Sequence, residues 1–431
     1  MLQTNEVFFY LLTMKIEELY PLYAQHFLVD TDTRKIRKNT LFFALKGERF
    51  NGNTFAKKAL EAGASYSIVD EEIYATHPAI LLVDNVLETL QQLAHYHRNQ
   101  LGIPIIGLTG SNGKTTTKEL IKAVISKKFK TVATAGNFNN HIGVPLTLLS
   151  MHPDTEIGIV EMGANHQKEI EFLSEICAPN FGYITNFGKA HLEGFGGVAG
   201  VIKGKTELYS YLRENEKTAF VNPNDALQVE KTSQMHRVFF EESLQLQSAD
   251  PFLRLSCQNT LIESNLIGKY NFDNICAAVT IGTYFKVPLP EIKNAIEGYF
   301  PDNNRSQIIE KASNKIILDA YNANPTSMRA ALESFQIMEA EHKVLILGDM
   351  FELGASEIEE HQQIANFLWE ANFKSVLLVG KLFHQVQTAY PQFKTFEDLK
   401  NHLKTDQPSN SHILIKGSRG MQLERVLDLL N

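Results

Sequence analysis

The stretch best equipped for chemistry is Gly107-Leu108-Thr109-Gly110-Ser111-Asn112-Gly113-Lys114-Thr115-Thr116-Thr117, set between the apolar run Ile103 to Leu108 and a helical pattern starting near Lys114. A strand, a glycine turn and a helix in that order hold a triphosphate. The glycines let backbone N–H groups turn toward phosphate oxygens, the lysine supplies positive charge, and a threonine hydroxyl can ligate magnesium. Thr109 to Thr116 are the candidate nucleotide contacts, with Lys114 as the charge and Thr115 as the metal ligand. The general pattern wants a glycine five residues before Gly113; here Leu108 stands there and Gly107 lies one place earlier.

A nucleotide with magnesium needs further oxygen or imidazole ligands from strand ends of the same sheet. Glu161 closes the apolar run Ile157-Gly158-Ile159-Val160, and His191 follows the strand expected at 181–185. Lys205 and Glu207 open into a helix, and Asn271 and Asn274 precede another. Taken singly these are a solvated charge, a structural histidine, an exposed lysine and an N-cap pair. Beside a phosphate loop they gain weight. Asp319 to Pro325, Leu347 to Met350 and Lys416 to Gly420 are polar loops directly after apolar strands, where an α/β domain presents ligand groups.

The elements that must position these residues read as three α/β domains. Residues 1–100 form a small unit with strands at 41–45, 66–69 and 79–83 and helices at 54–62 and 84–100, the last turn of the latter polar. Its loops Thr31-Asp32-Thr33-Arg34 and 46–53 flank one strand and are expected to share one end of the sheet. Residues 101–302 alternate strand and helix, implying a mostly parallel sheet covered on both faces. After the turn-rich Phe300-Pro301-Asp302-Asn303-Asn304-Arg305, residues 303–431 alternate again as a Rossmann-like domain ending in a helix from Met421. Sites on two such domains suggest closure around substrates.

Composition excludes several classes. With 41 basic and 49 acidic residues the net charge is -8, so no basic field for nucleic acid is present. No apolar run approaches the ~20 residues of a membrane helix. Cys177, Cys257 and Cys276 have no metal or disulfide spacing and read as buried small side chains of a reduced, cytoplasmic protein. The apolar Val7 to Leu12 lacks a basic flank, which argues against a signal peptide. Residues 1–13 read as an extension upstream of a native start at Met14, followed by an amphipathic helix.

Thr109 to Thr115, Gly136-Asn137-Phe138-Asn139-Asn140 with Gly143-Val144-Pro145, Glu161 to Ala164, Ala190 to Glu193, Lys205 with Glu207, and Asn271 with Asn274 resemble, in that order, the Mur ligases of peptidoglycan synthesis. That family's phosphate loop also lacks the first glycine. Asp319 to Met328, Leu347 to Gly354 and Lys416 to Met421 are similar to the family member that adds D-alanyl-D-alanine. In the first domain Thr31 to Arg34 and Leu41 to Gly47 match the UDP-sugar-binding start, while the usual Asp-Gly-His is Asn51-Gly52-Asn53.

The resemblance implies an ATP- and magnesium-dependent ligase that joins D-alanyl-D-alanine to UDP-N-acetylmuramoyl-tripeptide through an acyl phosphate. It implies that Lys114 holds phosphates and that Thr115, Glu161, His191 and a carbamylated Lys205 hold or orient magnesium. Asn274, Arg305, Asp319 and Asn322 would hold adenosine. Thr31, Asp32, Thr33, Arg34, Asn137, Asn139 and Asn140 would hold the peptide nucleotide, and Asn324, Lys416 and Ser418 would make contacts on closure. A monomer is expected. The alternatives are another Mur ligase, a folylpolyglutamate-synthase-like ligase, or a catalytically silent nucleotide-binding scaffold; the absence of an Asp-Asn-Pro-Arg motif and the presence of Asn322-Ala323-Asn324-Pro325 favour the dipeptide adder.

Overall fold

A computed structural model describes residues 14–302 and 304–430; the apolar run at 7–12 lies outside the described residues. The chain divides into two compact units. The first takes the residues up to Gly107 with Lys130–Met162 and Phe172–Asn180, and the second takes Leu108–Phe129, Gly163–Glu171 and everything from Phe181 on.

In the first unit the helix Ile16–Tyr23 follows Met14, as its amphipathic pattern requires. Four strands, Val29–Asp30, Leu41–Phe43, Tyr66–Val69 and Ile80–Leu82, pair in that order, all parallel. Because every strand runs the same way, the loops 31–34 and 46–53 do emerge at one edge. Phe42, Ala44, Ala56, Ala59, Val69 and Ile80 pack into one core beneath the helix Ala56–Glu61. The helix Val86–Leu101 is capped by Asn85 and stopped by Gly102 in the left-handed region (φ 62°). His97 and Arg98 near its polar end are buried, and Arg98 donates to the carbonyls of Cys177 and Ala178 and to Asn180 Oδ1, so the charge is absorbed by loop oxygens. Strands Thr131–Ala133 and Ile157–Glu161 pair in parallel.

The strand Ile105–Thr109 passes from the first unit to the second. Within the first, Gly158 N–H donates to the Pro104 carbonyl, and within the second, Thr185 N–H donates to the Thr109 carbonyl. Strands Phe181–Ile184, Thr218–Val221 and His236–Phe239 pair in parallel. The helix Lys114–Ile125 packs on the helix Phe272–Tyr284.

Ahead of the second helix in sequence comes an antiparallel sheet of Gln245–Ser248, Phe252–Cys257 and Thr260–Ile267, absent from the sequence reading. Its alternation is visible in Leu253, Leu255 and Cys257, all buried with polar residues between them. Its turn, Gln258-Asn259, holds both residues at positive φ (48° and 65°) without the glycine that usually marks such hairpins.

The last sheet orders Gln307–Lys311, Asn314–Asp319, His412–Lys416, Lys343–Gly348, Ser375–Val379 and Gln392–Phe393; only the first of these pairs antiparallel. The three polar loops named from sequence all leave its carboxyl edge. The helix expected from Met421 is present in the tighter 3-10 form, as Arg419–Met421 and Leu423–Leu429. Gln422 between them is left-handed, and a three-residue repeat brings Leu423 and Val426 to the core. Among the described residues no helix is long and apolar enough to cross a membrane, and the three cysteines are buried free thiols.

Candidate active site

The phosphate loop is shaped by steric necessity at two glycines. Gly110 has φ 141°, and a Cβ there would lie 2.0 Å from Thr185 Oγ1; Gly113 has φ 79°, with Asn274 Oδ1 2.6 Å from the same position. Leu108 is fully buried inside the strand, so nothing at that position asks for glycine. Lys114 Nζ folds back to the carbonyls of Gly110 (2.8 Å) and Ser111 (3.3 Å).

Two of the loop amides are committed within the protein. Ser111 N–H donates to the Asn186 carbonyl (3.0 Å) and Asn112 N–H to Asn186 Oδ1 (3.1 Å), while Ser111 Oγ donates to Gly188 (2.7 Å). These bonds fasten the loop to the segment leading to His191. The positive end of the helix dipole at Lys114–Ile125 is the feature suited to an anion. Thr109, Thr115 and Asn274 are buried; Asn274 accepts from Thr117 Oγ1 (2.9 Å) and donates to Asn271 (2.8 Å), locking the loop's helix to its neighbour. Thr116 lies in the first turn of that helix.

His191 is left-handed (φ 53°, ψ 40°), and its Nδ1 pairs with the Glu352 carboxylate. Two residues earlier Lys189 bonds Glu360 (2.6 Å) through Nζ and Thr326 Oγ1 (2.9 Å) through its backbone N–H. Lys205 is 1% exposed and donates to the Ala164 carbonyl (3.1 Å). Burial, with the Lys114 charge next in effect, pushes its ammonium well below the lysine range. Glu207 caps the helix Glu169–Cys177, accepting from the N–H groups of Lys168 and Glu171.

Loops of the last sheet meet the phosphate loop directly. Asn324 Nδ2 donates to Asn112 Oδ1 (2.7 Å), while its Oδ1 caps the helix Pro325–Ile337. The Asn112 Nδ2 donor is buried with no hydrogen-bond partner. Lys416 is buried and bonds Asp319, whose other oxygen accepts from Ser306 N–H. Ser418 is committed on both sides, accepting from Phe351 N–H (2.9 Å) and donating to Ala323 (3.3 Å). The Arg305 guanidinium stacks on the Tyr321 ring at 3.5 Å, and Asn322 offers its carbonyl to Lys416.

The first unit carries the other candidates. Glu161 is 1% exposed and accepts from Asn139 Nδ2 (2.8 Å). Asn140 accepts from the N–H groups of Ile142 and Gly143 in the turn that leads into the helix Gly143–Leu148, and Asn137 is exposed. Asp32 follows Thr31; the Arg34 guanidinium and N–H bind its carboxylate and hold it down to about 2, in the short turn Thr33–Lys35. Asn53 is fully buried and exchanges two bonds with Asp70, so it is a structural residue; Asn51 caps its turn.

The structure therefore brings the phosphate loop, Asn274, His191, Lys205, Arg305, Asp319, Asn322, Asn324, Lys416 and Ser418 into one unit, with Thr31 to Arg34, Asn137 to Asn140 and Glu161 in the other. Sequence reasoning missed Lys189, Thr326, Glu352 and Glu360. Glu352 sat within a noted loop motif, but its partner is 161 residues away.

Sequence models of one family match three consecutive segments: "Mur ligase family, catalytic domain" at 26–98, "Mur ligase middle domain" at 108–282 and "Mur ligase, glutamate ligase domain" at 304–419. The chain is 35% identical to the UDP-N-acetylmuramoyl-tripeptide--D-alanyl-D-alanine ligase of Bacillus subtilis, covering 94% of each chain. It is also 35% identical to the Escherichia coli ligase of that name, covering 93% of each. Among solved structures, MurF from Acinetobacter baumannii superposes with TM-score 0.83 at 32% identity, covering 93% of this chain and 92% of that one. MurF from Thermotoga maritima in complex with ADP superposes with TM-score 0.81 at 25% identity, covering 93% and 96%.

Proposed function

The chain belongs to the Mur ligase family, and from that premise we propose that it joins D-alanyl-D-alanine to the terminal carboxylate of UDP-N-acetylmuramoyl-tripeptide at the expense of ATP, as a cytoplasmic monomer. The observation that carries this reading is the likeness, along nearly the whole chain, to ligases of that name. The reduced, buried cysteines agree with a cytoplasmic setting.

Phosphoryl transfer to a carboxylate asks the protein for alignment and charge stabilisation. Lys114 and the helix start at the phosphate loop hold the β- and γ-phosphates, and Arg305, Asn274, Asp319 and Asn322 hold the adenosine. Thr31 to Arg34 and Asn137 to Asn140 bind the peptide nucleotide. The carboxylate attacks the γ-phosphorus, ADP leaves, and the dipeptide amine then attacks the acyl carbon, with phosphate leaving as the amide forms. The orphaned Asn112 amide donor is suited to a phosphate oxygen, and Asn324, Lys416 and Ser418 support it from the C-terminal loops.

The donors also fit magnesium. Among the described residues no three acidic, histidine or cysteine side chains cluster as a self-sufficient metal cage, and magnesium at phosphates takes few protein ligands. Thr115, Glu161 and His191 would supply them, and the ion would neutralise phosphate charge. Lys205, held toward its neutral form by burial, is suited to bond carbon dioxide through Nζ with loss of a proton, giving a carbamate that orients the ligands.

Phosphate release from ATP tests the reading directly. With UDP-muramoyl tripeptide present, release should require D-alanyl-D-alanine, and the product mass should show the added dipeptide. Release driven by a single amino acid and not by the dipeptide would overturn it.

A further inference from the structure

His191 and Glu352 are both non-glycine residues in the left-handed region, with φ 53° and 63°. Such backbones are uncommon and persist where surrounding contacts hold them. They meet twice: the Glu193 N–H donates to the Glu352 carbonyl (3.2 Å), and the Glu352 carboxylate pairs with His191 Nδ1. On the histidine side, the Phe195 N–H closes the turn onto the His191 carbonyl (3.1 Å).

The glutamate is delivered by a loop pinned at three successive residues. Asp349, 2% exposed, accepts the N–H groups of Leu382 (3.0 Å) and Phe383 (2.9 Å). The Met350 N–H donates to His361 Nε2 and the Phe351 N–H to Ser418 Oγ, both at 2.9 Å. Glu352 follows, so these bonds set the backbone from which its half-exposed carboxylate reaches His191.

Resting on the ligase reading above, we propose that Glu352 is a positioning residue that holds the His191 ring with its proton on Nδ1, leaving the Nε2 lone pair for the nucleotide-bound metal. A carboxylate on one ring nitrogen fixes which nitrogen keeps the proton and raises the basicity of the other. The residue comes from the C-terminal loops and the histidine from the central segment, so the contact between those segments completes the imidazole donor. A fastening ion pair alone would not select the tautomer.

The test uses the full-length protein with 15N-labelled histidine side chains, His191→Gln providing the assignment, and manganese binding in the presence of ADP followed by spin resonance. Wild type should carry the His191 proton on Nδ1 at pH 8. Glu352→Ala should move it toward Nε2 and weaken manganese binding by about tenfold. Glu352→Gln, whose carbonyl still accepts, should keep the Nδ1 proton and most of the affinity. An unchanged tautomer in Glu352→Ala, or unchanged manganese affinity after the tautomer moves, overturns the proposal even if the variant melts earlier. Neither readout uses the peptide substrate, so a chain that shows both changes yet fails to ligate overturns the ligase reading alone.

Discussion

Asn324 and Asn112, 212 residues apart, are joined by a 2.7 Å hydrogen bond from the side-chain amide of the first to Oδ1 of the second. Asn324 has two separable duties, since its own Oδ1 accepts the Ser327 N–H and caps a helix. Asn324→Ser keeps a capping oxygen and loses the reach to Asn112. It should lower kcat/KM for ATP by about tenfold, the cost of an unmade buried hydrogen bond, with little change in melting temperature. Asn324→Ala should lose the same activity and about 1 kcal/mol of stability besides. Steady-state kinetics with thermal melts separate the two; equal destabilisation by both variants would count against the division.

Lys114 donates to two loop carbonyls and lies at the start of its helix. Lys114→Met should leave folding intact and reduce ATP-dependent phosphate release by roughly 10²-fold to 10³-fold, the effect of removing one preorganised charge stabiliser. Circular dichroism alongside the phosphate assay checks both halves of the expectation.

Lys205 offers an activity test and a stability test. Lys205→Ala should abolish turnover, and short carboxylic acids should restore part of it by standing in for the carbamate; unchanged turnover would remove that role. Because burial lowers its folded value, the native state binds fewer protons than the unfolded chain between that value and the ordinary lysine range. Its contribution to stability is present above the unfolded value and is lost as pH falls through the folded one. In buffer free of carbon dioxide, Lys205→Met should therefore flatten the rise of stability with pH and raise the melting temperature at neutral pH.

His361 should make the protein acid-sensitive. Its Nε2 accepts the Met350 N–H, which requires an unprotonated nitrogen, and burial holds its pKa below 6.5 despite the nearby Asp349 and the Glu357 carbonyl. Stability is complete above the unfolded value and falls as pH drops below it toward the folded one. His97, buried and lowered in the same direction, adds to the slope. Melts from pH 7.5 to 5 should show the decline, and His361→Gln, which keeps an acceptor but cannot take a proton, should flatten part of it.

The sequence by itself determined what is written in neighbouring residues. A strand, a glycine turn and a helix are contiguous, so the phosphate loop at 107–117 is legible along with the residues proposed to do its chemistry. Alternating apolar strands and amphipathic helices imply parallel sheets, and parallel sheets place Thr31 to Arg34, Asp319 to Asn324 and Lys416 to Ser418 at carboxyl edges by pattern alone. The hairpin turn Gln258-Asn259 escaped because its left-handed residues carry no glycine.

Only the tertiary structure decided who faces whom. Glu352 meets His191 across 161 residues, and Glu360 meets Lys189 across 171. No local spacing encodes those pairings, because they depend on how two sheets are brought together. The same is true of Lys205: its position in a helix pattern reads as an exposed cation, and it takes the packed surroundings, leaving 1% of it exposed, to turn that cation toward a neutral amine. Periodicity is a property of a few turns of chain, whereas desolvation and long-range ion pairing belong to the folded whole.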